Sequence, residues 1–323
     1  MSSQVINIYS GWKRVYTEIV FEGATKPTPV LIDTGSSELA VCPGIEMGNA
    51  RPTGHYASCA YGDGSYGWVG EWYEGKVTFG TPGGCITDSK QMLAAAMNNE
   101  NAHLCTPHLK GILGVDFGGN TLYTSPQKIG EFTGRGEVYR KESFATTMLN
   151  PGDDYTMAFI GVTPDNSGQA VIAFGSAAEE MLSRDTIAGS TPIIKSSTIW
   201  YTLKTPMTVS FRNVDGLTDR ITFNASSVNY DPIIDSGTPC LVLPNEVQYA
   251  VLAAGFSTGT LPSDAVIVIE MPGDLVLELP LRRLGKVTEN VTFGSQPILG
   301  FPVFWIYDIK FQTQKEVLSF YSR

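Results

Sequence analysis

An all-β fold of two duplicated lobes is the class this sequence predicts, on three observations. Short segments rich in β-branched and aromatic residues recur between glycines, prolines and asparagines. Helical pattern is scarce. One six-residue signature occurs twice, and a second signature follows each copy in the same order. At 323 residues, with 34 Gly and 19 Pro, the chain is turn-rich and long enough for about two domains.

Strands are expected at 15–21, 29–32, 68–79, 170–174, 201–211, 265–270, 275–279 and 303–311. Helices are expected at 143–149 and at 245–254, the latter starting behind Pro244 and stopping at Gly255 as helix punctuation demands. The repeated signature is Leu31-Ile32-Asp33-Thr34-Gly35-Ser36, which returns as Ile233-Ile234-Asp235-Ser236-Gly237-Thr238. Gly111-Ile112-Leu113-Gly114 follows the first copy and Pro297-Ile298-Leu299-Gly300 the second. Turn signals at 183–185 and 189–192 put the lobe limit near 190, giving lobes 1–190 and 191–323.

Composition removes several functions. Lys+Arg 22 against Asp+Glu 32 gives a net charge of −10, which repels nucleic acid and anionic membrane surfaces. No run approaches the roughly 18 apolar residues needed to span a bilayer. Met1-Ser2-Ser3-Gln4 lacks the basic and apolar regions of a signal peptide, so the chain reads as cytosolic or as a mature segment with an added Met. Five cysteines form no C-x-x-C pair; Cys42 with Cys59 and Cys85 with Cys105 is one expected pairing, with Cys240 left over, and buried reduced thiols are the alternative.

Each repeated Asp ends an apolar strand and is followed by a hydroxyl residue, a Gly and another hydroxyl residue. Either one alone reads equally well as an Asp closing a tight turn. Two such loops brought together would hold carboxylates that cannot both ionise. The shared proton makes the pair acid and base at once, able to activate a water against a carbonyl with no covalent intermediate.

On these motifs the chain resembles the pepsin-like aspartic proteases along nearly its whole length. The two Asp loops resemble that family's catalytic loops, Tyr61-Gly62-Asp63-Gly64-Ser65 the tip of its flap hairpin, and the Ile-Leu-Gly signatures the elements supporting each loop. The resemblance implies two β-rich lobes with a central cleft, and an endopeptidase cutting extended peptides between bulky apolar residues at acidic pH. It implies Asp33 and Asp235 as the dyad, Ser36 and Thr238 as hydroxyls on their outer oxygens, and Thr34 and Ser236 as ties between the loops. Tyr61 becomes the flap tyrosine. Gly62, Asp63, Gly35 and Gly237 bind substrate backbone, and Ile112 lines the pocket before the scissile bond. A monomer, secreted or endolysosomal/vacuolar, with peptide or protein substrates and no cofactor or metal follows from the same likeness. One departure stands out: the family carries a Trp bonded to the flap tyrosine where this chain has Ala40, so Tyr61 is expected to find another partner or to swing freely. That departure is the ground for the rival reading, a catalytically inactive binding module.

Other motifs carry less. Gly62 to Gly67 satisfies G-x-G-x-x-G, but the residues after it suit a hairpin rather than the helix a dinucleotide needs. Gly255 to Gly259 satisfies G-x-S-x-G, yet it follows a helix and no His lies after it. His103 and His108 have only Cys105 as a ligand-like companion. A glycosidase using two carboxylates gains little from symmetric hydroxyl-flanked loops. Two sequons begin at Asn224 and Asn290.

Overall fold

The computed structural model describes residues 4–11, 13–61, 66–80, 89–99, 103–128, 139–165, 169–194, 201–225 and 231–323. These residues are mostly β, and the chain divides into two compact units, Met1–Pro151 and Gly152–Arg323. No helix among them is long and apolar enough to cross a membrane.

The first unit contains β1 (Val5–Gly11), β2 (Arg14–Phe21), β3 (Thr28–Asp33), β4 (Leu39–Val41), β5 (Arg51–Tyr61), β6 (Tyr66–Gly80), β7 (Lys90–Met97), β8 (Gly111–Gly114), β9 (Gly119–Leu122), β10 (Tyr139–Glu142) and the short helix α1 (Phe144–Thr147). Strand β2 shows why such segments form: Val15, Thr17, Ile19 and Phe21 are buried and the residues between them are not, the period-2 pattern of a sheet with one packed face. Pairings run in a closed circuit from β2 through β3, β8, β4, β7 and β6 back to β2. The 15-residue β6 can serve both β7 and β2, and its first half forms a hairpin with β5. Trp68, Trp72, Ala40, Leu31, Ile112 and Leu122 belong to the core this circuit encloses.

The second unit contains β11 (Thr156–Ile160), β12 (Ala170–Phe174), α2 (Gly175–Leu182), β13 (Ile187–Ile194), β14 (Thr202–Leu203), β15 (Met207–Arg212), β16 (Ile221–Phe223), β17 (Ile233–Ile234), β18 (Leu241–Pro244), α3 (Asn245–Ala253), β19 (Val266–Glu270), β20 (Val276–Pro280), α4 (Val287–Asn290), β21 (Val291–Gly294), β22 (Ile298–Leu299), α5 (Phe301–Phe304), β23 (Tyr307–Gln312) and β24 (Val317–Ser322). Here β11 pairs with β12 and β23, and β13 with β24. Strands β11 and β13 therefore join the C-terminal strands, and the compact units divide at Pro151, while the turn signals at 183–185 and 189–192 put the expected lobe limit near 190. A separate sheet runs β16-β15-β19-β20.

Helix α3 follows its punctuation: Pro244 precedes it, Glu246 sits in its first turn, Val247 and Val251 are buried, and Gly255 closes it at φ +83°. Two strand expectations need correction. Residues 201–211 split into β14 and β15 around Lys204-Thr205-Pro206, and the proline, with no N–H to give a ladder, falls where the strand breaks. Residues 303–311 begin as α5, with Pro302 setting its first turn, and become strand only from Tyr307. Helix α2 is an addition to the expected elements, although its Ala-Ala-Glu-Glu-Met-Leu run is made of good helix formers.

The disulfide also differs from expectation. Cys42 bonds Cys105, while Cys59 and Cys240 are thiols and Cys85 lies outside the described residues. Cys42 directly follows β4, whose neighbours are β7 and β8, and Cys105 bridges to Lys110 in the turn entering β8. Cys59 instead lies on β5, opposite Trp68 of β6.

Candidate active site

Strand β3 is apolar and buried from Val30 to Ile32 because it lies between β2 and β8. Asp33 ends it, 5% exposed. Its Oδ1 accepts the Gly35 N–H at 2.9 Å and its Oδ2 accepts the Ser36 hydroxyl at 2.6 Å. In the second unit Asp235 follows β17 and has the same two donors at the same offsets, the Gly237 N–H at 2.8 Å and the Thr238 hydroxyl at 2.5 Å. Each carboxylate is thus fixed through both oxygens by its own loop. Thr34 and Ser236 are fully buried.

The Ile-Leu-Gly signatures support these loops physically. Leu31, Ile32 and Asp33 pair in parallel with Ile112, Leu113 and Gly114, and Ile233 and Ile234 pair in parallel with Ile298 and Leu299. Gly114 lies so close to the first loop that a Cβ there would stand 2.5 Å from the Ser36 carbonyl oxygen and the Ser37 nitrogen. A Cβ on Gly300 would overlap the Cys240 carbonyl and come 2.9 Å from the Thr238 oxygen. Both glycines are required by close backbone approach.

Tyr61 ends β5 and packs against the core that contains Ala40, Trp68 and Ile112. Its hydroxyl accepts a hydrogen bond from Trp68 Nε1 at 2.9 Å. The partner missing at position 40 is therefore supplied from β6. Burial raises the Tyr61 phenol well above its ordinary value of 10, with Cys59 and then Asp33 adding to the rise, so Asp33 and Tyr61 share one electrostatic neighbourhood. Gly62 and Asp63 lie outside the described residues. Ile112 is 2% exposed and pairs with Ala40.

The sequence reading missed Trp68. Its signal lies in the hairpin register: Tyr61 pairs with Tyr66 and Cys59 with Trp68, which makes Trp68 a diagonal neighbour of Tyr61. Ala40 is fully buried in a filled core, so Ala40→Trp is expected to overpack it and cost about 1 to 3 kcal/mol. Denaturant unfolding checks this; an unchanged midpoint would mean that the space beside Ala40 is open.

The matching loops and the hairpin have a counterpart among known proteins. The sequence model described as eukaryotic aspartyl protease matches residues 46–261, more than half of the chain. The chain belongs to the eukaryotic aspartyl protease family. The matched residues include Tyr61, Ile112 and Asp235, while Asp33 precedes them. A comparison with curated proteins finds no match. Membership makes the chain a pepsin-like, all-β protein of a peptidase family.

Several rival features resolve structurally. Gly255 is the cap of α3, so G-x-S-x-G here is a helix end. Cys105 is committed to the disulfide. The Asn290 side chain is buried and donates to the Leu284 carbonyl at 2.6 Å, which engages that sequon inside the unit. An open groove of about 1010 Å³ in the first unit, lined by Glu22, Arg51, His55, Glu74 and Lys76 among others, includes neither Asp33 nor Tyr61.

Proposed function

We propose that this chain is an aspartic endopeptidase in which Asp33 and Asp235 share one proton. The ionised carboxylate takes a proton from a water, the oxygen of that water bonds to the scissile carbonyl carbon, and the protonated carboxyl gives its proton to the carbonyl oxygen. Collapse of the resulting gem-diol breaks the C–N bond as the first carboxyl gives the proton it took from water to the leaving amine and a diol hydroxyl returns its proton to the second carboxylate, which restores the shared-proton state. The observation that carries this reading is the twin cradle: Gly35 and Ser36 on Asp33, Gly237 and Thr238 on Asp235, with the same donors to the same oxygens. Family membership supports it independently.

In this reading the duplicated lobes 1–190 and 191–323 each supply one Asp, and Thr34 and Ser236 tie the loops. Tyr61, Gly62 and Asp63 close over an extended peptide whose backbone also meets Gly35 and Gly237, and Ile112 lines the pocket before the scissile bond. The substrate is a peptide or protein with bulky apolar residues at the cut, the optimum is about pH 3 to 5, and the protein acts as a secreted or endolysosomal/vacuolar monomer. Digestion of a denatured protein across pH, with the cut sites mapped by mass spectrometry, tests this. Cuts between bulky apolar residues at acidic pH are expected; no cleavage at any pH would favour the inactive binding module.

Trp68 gives a finer test. Trp68→Phe keeps an aromatic ring and removes the N–H to Tyr61, so kcat/KM is expected to fall roughly 2- to 10-fold, the worth of one hydrogen bond. Unchanged kcat/KM would remove that bond from the account.

A further inference from the structure

The two Asp loops are held differently by the segments that end their supporting strands. From 114–116 three N–H groups reach the first loop: Gly114 to the Glu38 carbonyl at 2.8 Å, Val115 to that of Asp33 at 2.9 Å and Asp116 to that of Ser36 at 3.0 Å. The matching stretch is Gly300-Phe301-Pro302, where Pro302 has no N–H to give. Among the described residues it sends the second loop one backbone bond, from Phe301 to the Thr238 carbonyl at 2.8 Å. Thr238 is also the residue whose hydroxyl holds Asp235. Phe301 opens α5, whose four residues are all buried, and a single turn is too short to hold itself. Its other end is tied by Arg323: Nη2 donates to the Phe304 carbonyl at 2.5 Å, Nη1 to the Val162 carbonyl at 2.8 Å, and Nε meets Asp308 Oδ1 at 3.1 Å. Asp308 is 5% exposed, and the same oxygen accepts the Gly161 N–H at 2.8 Å. The guanidinium therefore clamps β23, the turn after β11 and the C-terminal end of α5 together, using its planar fork on two carbonyls and a carboxylate.

We propose that Arg323 is a positioning residue for Asp235: its guanidinium fixes the C-terminal end of α5, and α5 fixes the Thr238 carbonyl on the loop that carries Asp235. The part of Asp235 in catalysis rests on the peptidase reading above. Every link is a hydrogen bond or the buried turn itself, and all of them lie in the second unit. Gly300 is packed against the Cys240 and Thr238 carbonyls, so a shift of α5 is passed to the loop rather than absorbed. Without the guanidinium the Phe304 and Val162 carbonyls lose this donor, and Asp308 is left as a buried carboxylate without its cation. A loop that moves misplaces Asp235 against the reacting carbonyl, which lowers turnover more than binding.

Arg323→Met tests this, with the double variant Arg323→Met and Asp308→Asn beside it. The double variant removes the stranded charge and keeps an oxygen for the Gly161 N–H, so it separates positioning from the cost of a buried carboxylate. Amide hydrogen exchange by segment, and kcat and KM on a bulky apolar peptide, are compared with wild type. In both variants exchange is expected to quicken at 233–240 and 301–304 and to keep its wild-type rate at 30–37 and in the sheet β16-β15-β19-β20. With it kcat falls roughly 10-fold while KM stays within about 2-fold. Arg323→Lys keeps the cation but lacks the fork that reaches both carbonyls, and its kcat is expected to lie between. Wild-type exchange at 233–240 in the double variant, an unchanged kcat, or a loss carried wholly by KM would overturn the proposal. Exchange that quickens equally across the second unit marks a merely structural role and also overturns it. Should neither Met variant fold, Arg323→Lys is judged by the same readouts. A wild type that cleaves nothing defeats the peptidase reading, and Arg323 is then judged by exchange at 233–240 alone.

Discussion

Asp33→Asn and Asp235→Asn are each expected to lower peptide hydrolysis by at least about 10³-fold while leaving the fold intact. The amide keeps the carboxylate's shape, and an Asn oxygen still accepts the Gly35 or Gly237 N–H. The Ser36 and Thr238 hydroxyls can turn from donating to accepting, so the cradle survives. What the amide lacks is a proton that can be shared. The double variant is expected to be little worse than either single one, since the two groups act as one unit. Initial rates together with melting temperatures check this, and near-wild-type turnover in either single variant would remove that Asp from the mechanism.

Gly114→Ala and Gly300→Ala should each produce a large structural effect. Each new Cβ meets backbone atoms of an Asp loop rather than the end of a flexible side chain, so the loop itself must move. The expected cost is about 3 kcal/mol or more in stability. Activity should fall by about 100-fold even where the variant still folds, because a catalytic group displaced by about 1 Å loses its geometry. Denaturant midpoints and kcat/KM measured on the folded fraction separate these effects. Wild-type values in both would mean that the Ile-Leu-Gly elements do not support the loops.

Much of this architecture is legible in the sequence where one local cause dominates. The alternation of Val15, Thr17, Ile19 and Phe21 specifies β2, and Pro244 with Gly255 bounds α3. The two Asp loops are readable because a tight turn around an oriented carboxylate needs Gly and hydroxyl residues at fixed offsets. Strands β4, β17 and β22 are two or three residues long and exist only through their neighbours, so no local pattern reveals them. The Cys42–Cys105 bond depends on how β4 and β8 meet. Trp68 as the partner of Tyr61 depends on hairpin register, and Glu38 reads as a polar loop residue until its burial is known. These features rest on contacts distant in sequence, which composition and periodicity do not carry.

The central claim is a proton shared between Asp33 and Asp235, and the most direct measurement is binding of a statine-type peptide, whose hydroxyl stands in for the attacking water, by calorimetry across pH. The account predicts tight binding between about pH 3 and 5, weakening as both carboxylates ionise, together with loss of binding in Asp33→Asn and in Asp235→Asn. Binding strongest above about pH 7, or unaffected by either substitution, would contradict it.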